Sequence, residues 1–247
     1  MRPTNDVYFS LLFASIAMGL IVLLILLVPA PTTRLSFNDK VVVSASFIAS
    51  CCVGISLALY PGLLRRKTSA RNTTLGRSTR HPTRAYSGHH PDCDTFNGHR
   101  LTIGTKAWCA GCLGLLLGAL ISIVIMVIYM ISPLGFSRRI YELLVFLGLA
   151  LVVMIFLETS VKSSHPMTHL SFNVMLILDF FLISMSVTEL TGKGLFGVLT
   201  VLLCAVWLST RVTLSTWRHR RTCRSCTTSC KMYTDVPSVS KQVGAQR

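Results

Sequence analysis

The chain has 247 residues, of which 51% are hydrophobic and only 13% charged, with a mean hydropathy of +0.60. A typical soluble domain carries roughly 25% charge, so a water-soluble globular protein is excluded. The formal net charge of +15 and the pI near 9.9 need no nucleic-acid partner, because the placement of the basic residues described below accounts for them.

Tyr8 to Val28 is the first uncharged apolar run able to cross a ~30 Å hydrocarbon core at ~1.5 Å per residue. It is longer than the apolar core of a signal peptide and only Arg2 precedes it, so it reads as an uncleaved anchor. Further runs follow at Val41 to Leu64, Ala110 to Ser132, Tyr141 to Leu157, Leu170 to Glu189 and Leu195 to Thr210. The fourth is short and the fifth contains Asn173 and Asp179, which leaves a re-entrant path open for these two. None alternates with the period of two that a membrane barrel strand requires. The expected fold is therefore all-α, a polytopic membrane bundle of about six transmembrane helices with a small cytoplasmic Cys/His-rich loop. The second and third runs carry small residues at every fourth position (Ser46, Ser50, Gly54, Ala58; Ala110, Gly114, Gly118, Ser122), a pattern that lets helix backbones approach.

Residues 65–88, between the first helix pair and the loop, are Arg, Ser, Thr and Gly with almost no large apolar side chain, and read as a flexible basic linker. Residues 89–112 form the Cys/His-rich loop, where Phe96, Leu101, Ile103 and Trp108 appear beside turn formers such as Asn97-Gly98. Its core is too small to fold alone. Residues 110–217 hold the remaining four spans, and 218–247 form a basic cytoplasmic tail.

Lys and Arg stay preferentially in cytoplasmic loops. With six spans and an inside N-terminus, nineteen of them fall on one face and five on the other. That bias predicts a multi-pass protein of the cell membrane with both termini cytoplasmic, its basic face meeting anionic lipid headgroups. A protein partner or homo-oligomer is compatible with this layout.

All seven histidines and six of the nine cysteines fall on that same face, although only Lys and Arg set the orientation. Residues 89–112 read HHPDCDTFNGHRLTIGTKAWCAGC and residues 223–230 read CRSCTTSC. His89, His90, Cys93, His99, Cys109, Cys112, Cys223, Cys226 and Cys230 are accordingly the candidate metal ligands, and zinc in a closed four-coordinate site is the ion this donor set suits best. Cys109 and Cys112 open a transmembrane helix, whose N-terminus favours the thiolate that binds metal; Gly111 between them is expected in a left-handed turn. The two Cys-x-x-Cys pairs could share one ion, or Cys93, Cys109, Cys112 and a histidine could hold one separately. An iron–sulfur cluster is the less favoured cofactor. The reducing cytoplasm opposes disulfides, and c-type haem is excluded because Leu113 and Thr227, not His, follow the pairs. Cys51, Cys52 and Cys204 lie within spans and read as small buried apolar residues.

Asp179 falls near mid-membrane, where an ionised carboxylate costs ~2.5–3.5 kcal/mol. With Asn173 and Ser186 on the same helix it marks an intramembrane ion or proton site, against the alternative of a polar tie between helices. Glu142, Glu158 and Glu189, at span ends, are expected to sit in headgroup water; His165 and His169, four apart in a short cytoplasmic turn, have a capping or interfacial role or, if helical, share a face and serve as ligands.

The run from His89 to Gly118 resembles a group of uncharacterised prokaryotic, mainly archaeal, multi-pass membrane proteins marked by His-His-Pro-x-Cys, a later His, and Cys-Ala-Gly-Cys-x-Gly opening a transmembrane helix. More loosely it is similar to a wider membrane domain of unknown function. The resemblance covers about 30 residues, departs from the pattern at Leu113, and implies His89, His90, Cys93, His99, Cys109, Cys112 and Gly114 as the motif. It implies no activity. No phosphate loop, His-Glu-x-x-His or nucleophile elbow is present in the sequence, so the residues lean away from an enzyme. Three functions remain: a structural or regulatory metal site, a metal-ion or proton transporter using Asp179, and a membrane thiol redox protein.

Overall fold

Where lipid offers no hydrogen bonds, an apolar backbone satisfies its own polar groups within a helix, and each long apolar run of this chain does so. The computed structural model describes residues 5–28, 35–59, 86–87, 98–104, 106–132, 135–160 and 165–224. Its helices are α1 (Asn5–Ile25), α2 (Phe37–Leu59), α3 (Ala110–Ile131), α4 (Arg138–Ser160), α5 (Pro166–Thr191) and α6 (Gly194–Arg224). All six are long and apolar enough to cross a membrane, as expected of an all-α, multi-pass membrane protein. The short fourth run is a full 23-residue helix, and the fifth is continuous through Asp179, so neither is re-entrant.

The centre of the bundle is α5, which packs on α3, α4 and α6 and buries nearly every residue from Leu176 to Thr191. Pro166 starts it, supplying a fixed φ where no N–H is needed. Gly192 ends it in the left-handed region (φ 62°), donating its N–H to the Thr188 carbonyl at 2.9 Å. Its seam with α3 is close because Gly114 and Gly118 face it. A Cβ on Gly114 would lie 2.5 Å from the Leu170 carbonyl oxygen, and one on Gly118 would lie 3.0 Å from Val174 Cα. The small-residue stripe of α3 thus performs the packing its spacing predicts. In α2 the stripe makes no such close approach at Gly54, where an added Cβ would meet no described atom within 4 Å, and the helix buries Val43, Ser44, Phe47 and Cys51. Cys51 and Cys204 are buried as expected, whereas Cys52 is exposed.

At the end of the bundle where α2 begins, Lys40 Nζ lies 3.0 Å from Glu189 Oε1, which also accepts the Tyr129 hydroxyl at 2.9 Å. Asp39 Oδ1 accepts the Gly194 N–H at 3.1 Å. These contacts tie the starts of α2 and α6 to the ends of α3 and α5. Glu189 is therefore a partnered, largely buried group rather than one in headgroup water.

Before α3 lies a small sheet of β1 (Tyr86–Ser87), β2 (Arg100–Ile103) and β3 (Lys106–Cys109), in the order β1-β3-β2. Strands β2 and β3 form an antiparallel hairpin in which Ile103 pairs with Lys106. The two-residue connection needs Gly104 at φ 60°. β1 joins β3 in parallel, so the presumed linker over 65–88 already includes a strand at its end.

Candidate functional site

Strand β3 runs directly into α3. Cys109 is the last strand residue and the N-cap of the helix (φ −70°, ψ 120°), and it is fully buried. Cys112 stands in the first helical turn, partly exposed. Gly111 between them is helical, without the positive φ that marks Gly104 and Gly192. The expected left-handed turn is thereby corrected: the change of direction falls at the strand-to-helix junction of Cys109, and Gly111 continues the helix.

The hairpin does not stand free of the bundle. His99, immediately before β2, stacks on His169 of α5 with ring centroids 4.2 Å apart and meets His219 of α6 edge-on at 5.7 Å. Three imidazoles from three distant stretches of chain thus meet at the end of the bundle that holds the starts of α3 and α5 and the ends of α4 and α6. The hairpin itself is too small to bury a core, and the starts of α3 and α5 supply the surface it leans on. Ala107 and Cys109 are fully buried as a result.

Beneath these rings lies a buried ionic network. Glu158, at the end of α4, places Oε1 3.1 Å from His169 Nδ1 and Oε2 3.9 Å from Arg211 Nη2. Arg211 Nη1 donates to Asn173 Oδ1, and Asn173 Nδ2 donates to the His169 carbonyl. Arg211 is 7% exposed and Asn173 5%. A charge at this depth persists only when paired and hydrogen-bonded; Glu158 supplies the counter-charge of Arg211 and Asn173 one acceptor, while the buried Arg211 Nε has no partner among the described residues. Here the reading of Glu158 as a solvated span-end residue is overturned, whereas His169 takes the helical alternative. His169 stands in the first turn of α5, one turn beyond the N-cap residue His165, whose side chain makes no capping hydrogen bond. Glu142, by contrast, pairs with Arg138 at an exposed 2.8 Å contact, as its position suggested.

Helix α6 runs well past the expected end at Thr210, reaching Arg224. His219 and Cys223 are therefore carried on a helix, and the tail begins later than residue 218. Arg211 breaks the apolar run and sets the false boundary. The helical period of Trp207, Leu214 and Trp217, with Arg211 on the same face, is the signal that could have extended the span and marked Arg211 as buried.

Of the expected metal ligands, His99, Cys109 and Cys112 are placed at this one end, and Cys223 follows in the last turn of α6. His89, His90, Cys93, Cys226 and Cys230 lie outside the described residues. Among the described residues no three His, Cys, Asp or Glu side chains are arranged to hold a metal ion. The other sequence candidate, Asp179, is 2% exposed at the middle of α5, and its Oδ2 has no hydrogen-bond partner. Asn173, expected beside it, belongs instead to the Arg211 network.

Comparison with family models, with curated proteins and with solved structures finds no match for this chain.

Proposed function

We propose that this integral membrane protein carries a zinc site of structural or regulatory role on its cytoplasmic face, closed by thiols and imidazoles of the 89–112 segment and the 223–230 stretch. Cys109 and Cys112 supply two sulfurs from the start of α3. The remaining ligands come either from Cys223 and Cys226, with Cys230 in reserve, or from Cys93 with one of His89, His90 and His99. The observation that carries this reading is the contact of His99 with His169 and His219, which brings the first segment against the helix leading into the second. A mixed Cys/His donor set suits zinc better than an iron–sulfur cluster, which takes four cysteines. The cytoplasmic assignment rests on the Lys/Arg asymmetry, and the same basic face meets anionic headgroups. Kinship with the His-His-Pro-x-Cys membrane proteins belongs to this proposal.

Elemental analysis of the purified protein in detergent tests it. Wild type is expected to retain zinc in stoichiometric amount, and the double variant Cys109→Ser, Cys112→Ser to lose it. Equal metal content in the two proteins would remove the reading.

A further inference from the structure

The proposed metal site leaves one buried group without a task. Asp179 sits at the middle of the central helix, 2% exposed, with Oδ2 making no hydrogen bond. The helices around it bring no counter-charge: no Asp, Glu, Lys, Arg or His occurs in α1 from Tyr8, in α2 from Val41, in α3, in α4 from Leu143 to Leu157, or in α6 up to Thr210. Where α4 passes closest, it presents Gly148, whose added Cβ would lie 3.6 Å from the Asp179 carbonyl oxygen. A carboxyl that merely tied helices together would have a polar partner across the seam.

Polar atoms continue from Asp179 toward both ends of α5. On one side Ser186, seven residues on and hence on the same helical face, is fully buried, as is Ser184. Other helical hydroxyls in this protein bond the carbonyl four residues back, Ser50, Thr200 and Ser209 among them. Among the described residues the Ser186 hydroxyl has no such partner, which leaves it available to water, whereas the Ser184 hydroxyl meets the Cys204 thiol of α6. Beyond them stands Glu189 with Tyr129 and Lys40. On the other side Asn173 and Arg211 lead to Glu158.

From this arrangement we infer that Asp179 is the proton-carrying carboxyl of a path that crosses the membrane along α5. The carboxylate takes a proton arriving from one face, forming the neutral acid, and returns to carboxylate as that proton leaves toward the other; nothing else is consumed. A proton fits the site better than a metal cation, because hard cations take six or more oxygen ligands and a proton needs a single carboxylate oxygen. The inference does not depend on the zinc site, and either can fail alone.

Proteoliposomes containing the full chain and an internal pH dye, with potassium and valinomycin to balance charge, read this directly. An imposed pH gradient is expected to collapse faster with wild type than in protein-free vesicles, to fall back to the protein-free rate with Asp179→Asn, and to collapse quickly again with Asp179→Glu. Wild type no faster than protein-free vesicles overturns the inference, as does Asp179→Asn conducting like wild type. If Asp179→Asn does not fold, wild type treated with dicyclohexylcarbodiimide takes its place. Flux must then stop in step with the adduct mapped to Asp179 by mass spectrometry, and flux persisting through complete labelling of that residue overturns the inference equally.

Discussion

Replacing Arg211 with methionine is expected to destabilise the protein by about 3–5 kcal/mol, the cost of leaving one member of a buried ion pair without its partner. Glu158 would keep its carboxylate 3.1 Å from His169 Nδ1 but lose the guanidinium, and the Asn173 amide oxygen would lose its donor. The double variant Arg211→Met, Glu158→Leu is expected to recover a large part of the loss, since removing both charges also removes their desolvation cost. Recovery stays incomplete because His169 and Asn173 each keep an unmet polar atom. A double-mutant cycle by reversible unfolding in detergent micelles measures the coupling. Single and double variants that all lie within about 0.5 kcal/mol of wild type, the range of ordinary surface substitutions, would mean that water reaches this network.

Removing the proposed zinc has the second large expected effect. The hairpin of β2 and β3 buries Ala107 and Cys109, but its hydrophobic content alone does not hold so small a unit, and metal binding in such units is folding free energy. Chelation is therefore expected to raise amide hydrogen exchange across residues 98–109 while the centre of α5 stays protected, because packing against α3, α4 and α6 holds that helix independently. Readdition of zinc should restore protection. Exchange over 98–109 that ignores the chelator would show that the stacking of His99 on His169 and the burial of Cys109 suffice to dock the hairpin.

Which parts of this molecule can be read in the sequence depends on whether the determining contacts are local. Six apolar runs translate into six helices because membrane depth makes backbone satisfaction within a segment obligatory, and the Ala110-Gly114-Gly118-Ser122 stripe foretells the α3–α5 seam because a missing side chain is visible residue by residue. The hairpin was not legible: β2 and β3 are four residues each, too short for a period-two pattern to stand out from a loop. The buried network was hidden for the opposite reason. Glu158, Asn173 and Arg211 are ordinary polar residues at or near apparent span ends, and only their meeting across three helices makes them a unit. The convergence of His99 with His169 and His219 was foreshadowed by topology alone, since helix alternation sends all three to one face without specifying contact.

As proposed, cysteines of the 109–112 pair help to grip an ion at the end of the bundle where His99 docks. X-ray absorption at the zinc edge of the purified protein tests it most directly. A sulfur shell is expected at about 2.3 Å, with nitrogen at about 2.0–2.1 Å if a histidine completes the site, and loss of that sulfur shell in Cys109→Ser, Cys112→Ser. A spectrum with oxygen and nitrogen neighbours alone, or one unchanged in the double variant, would contradict it.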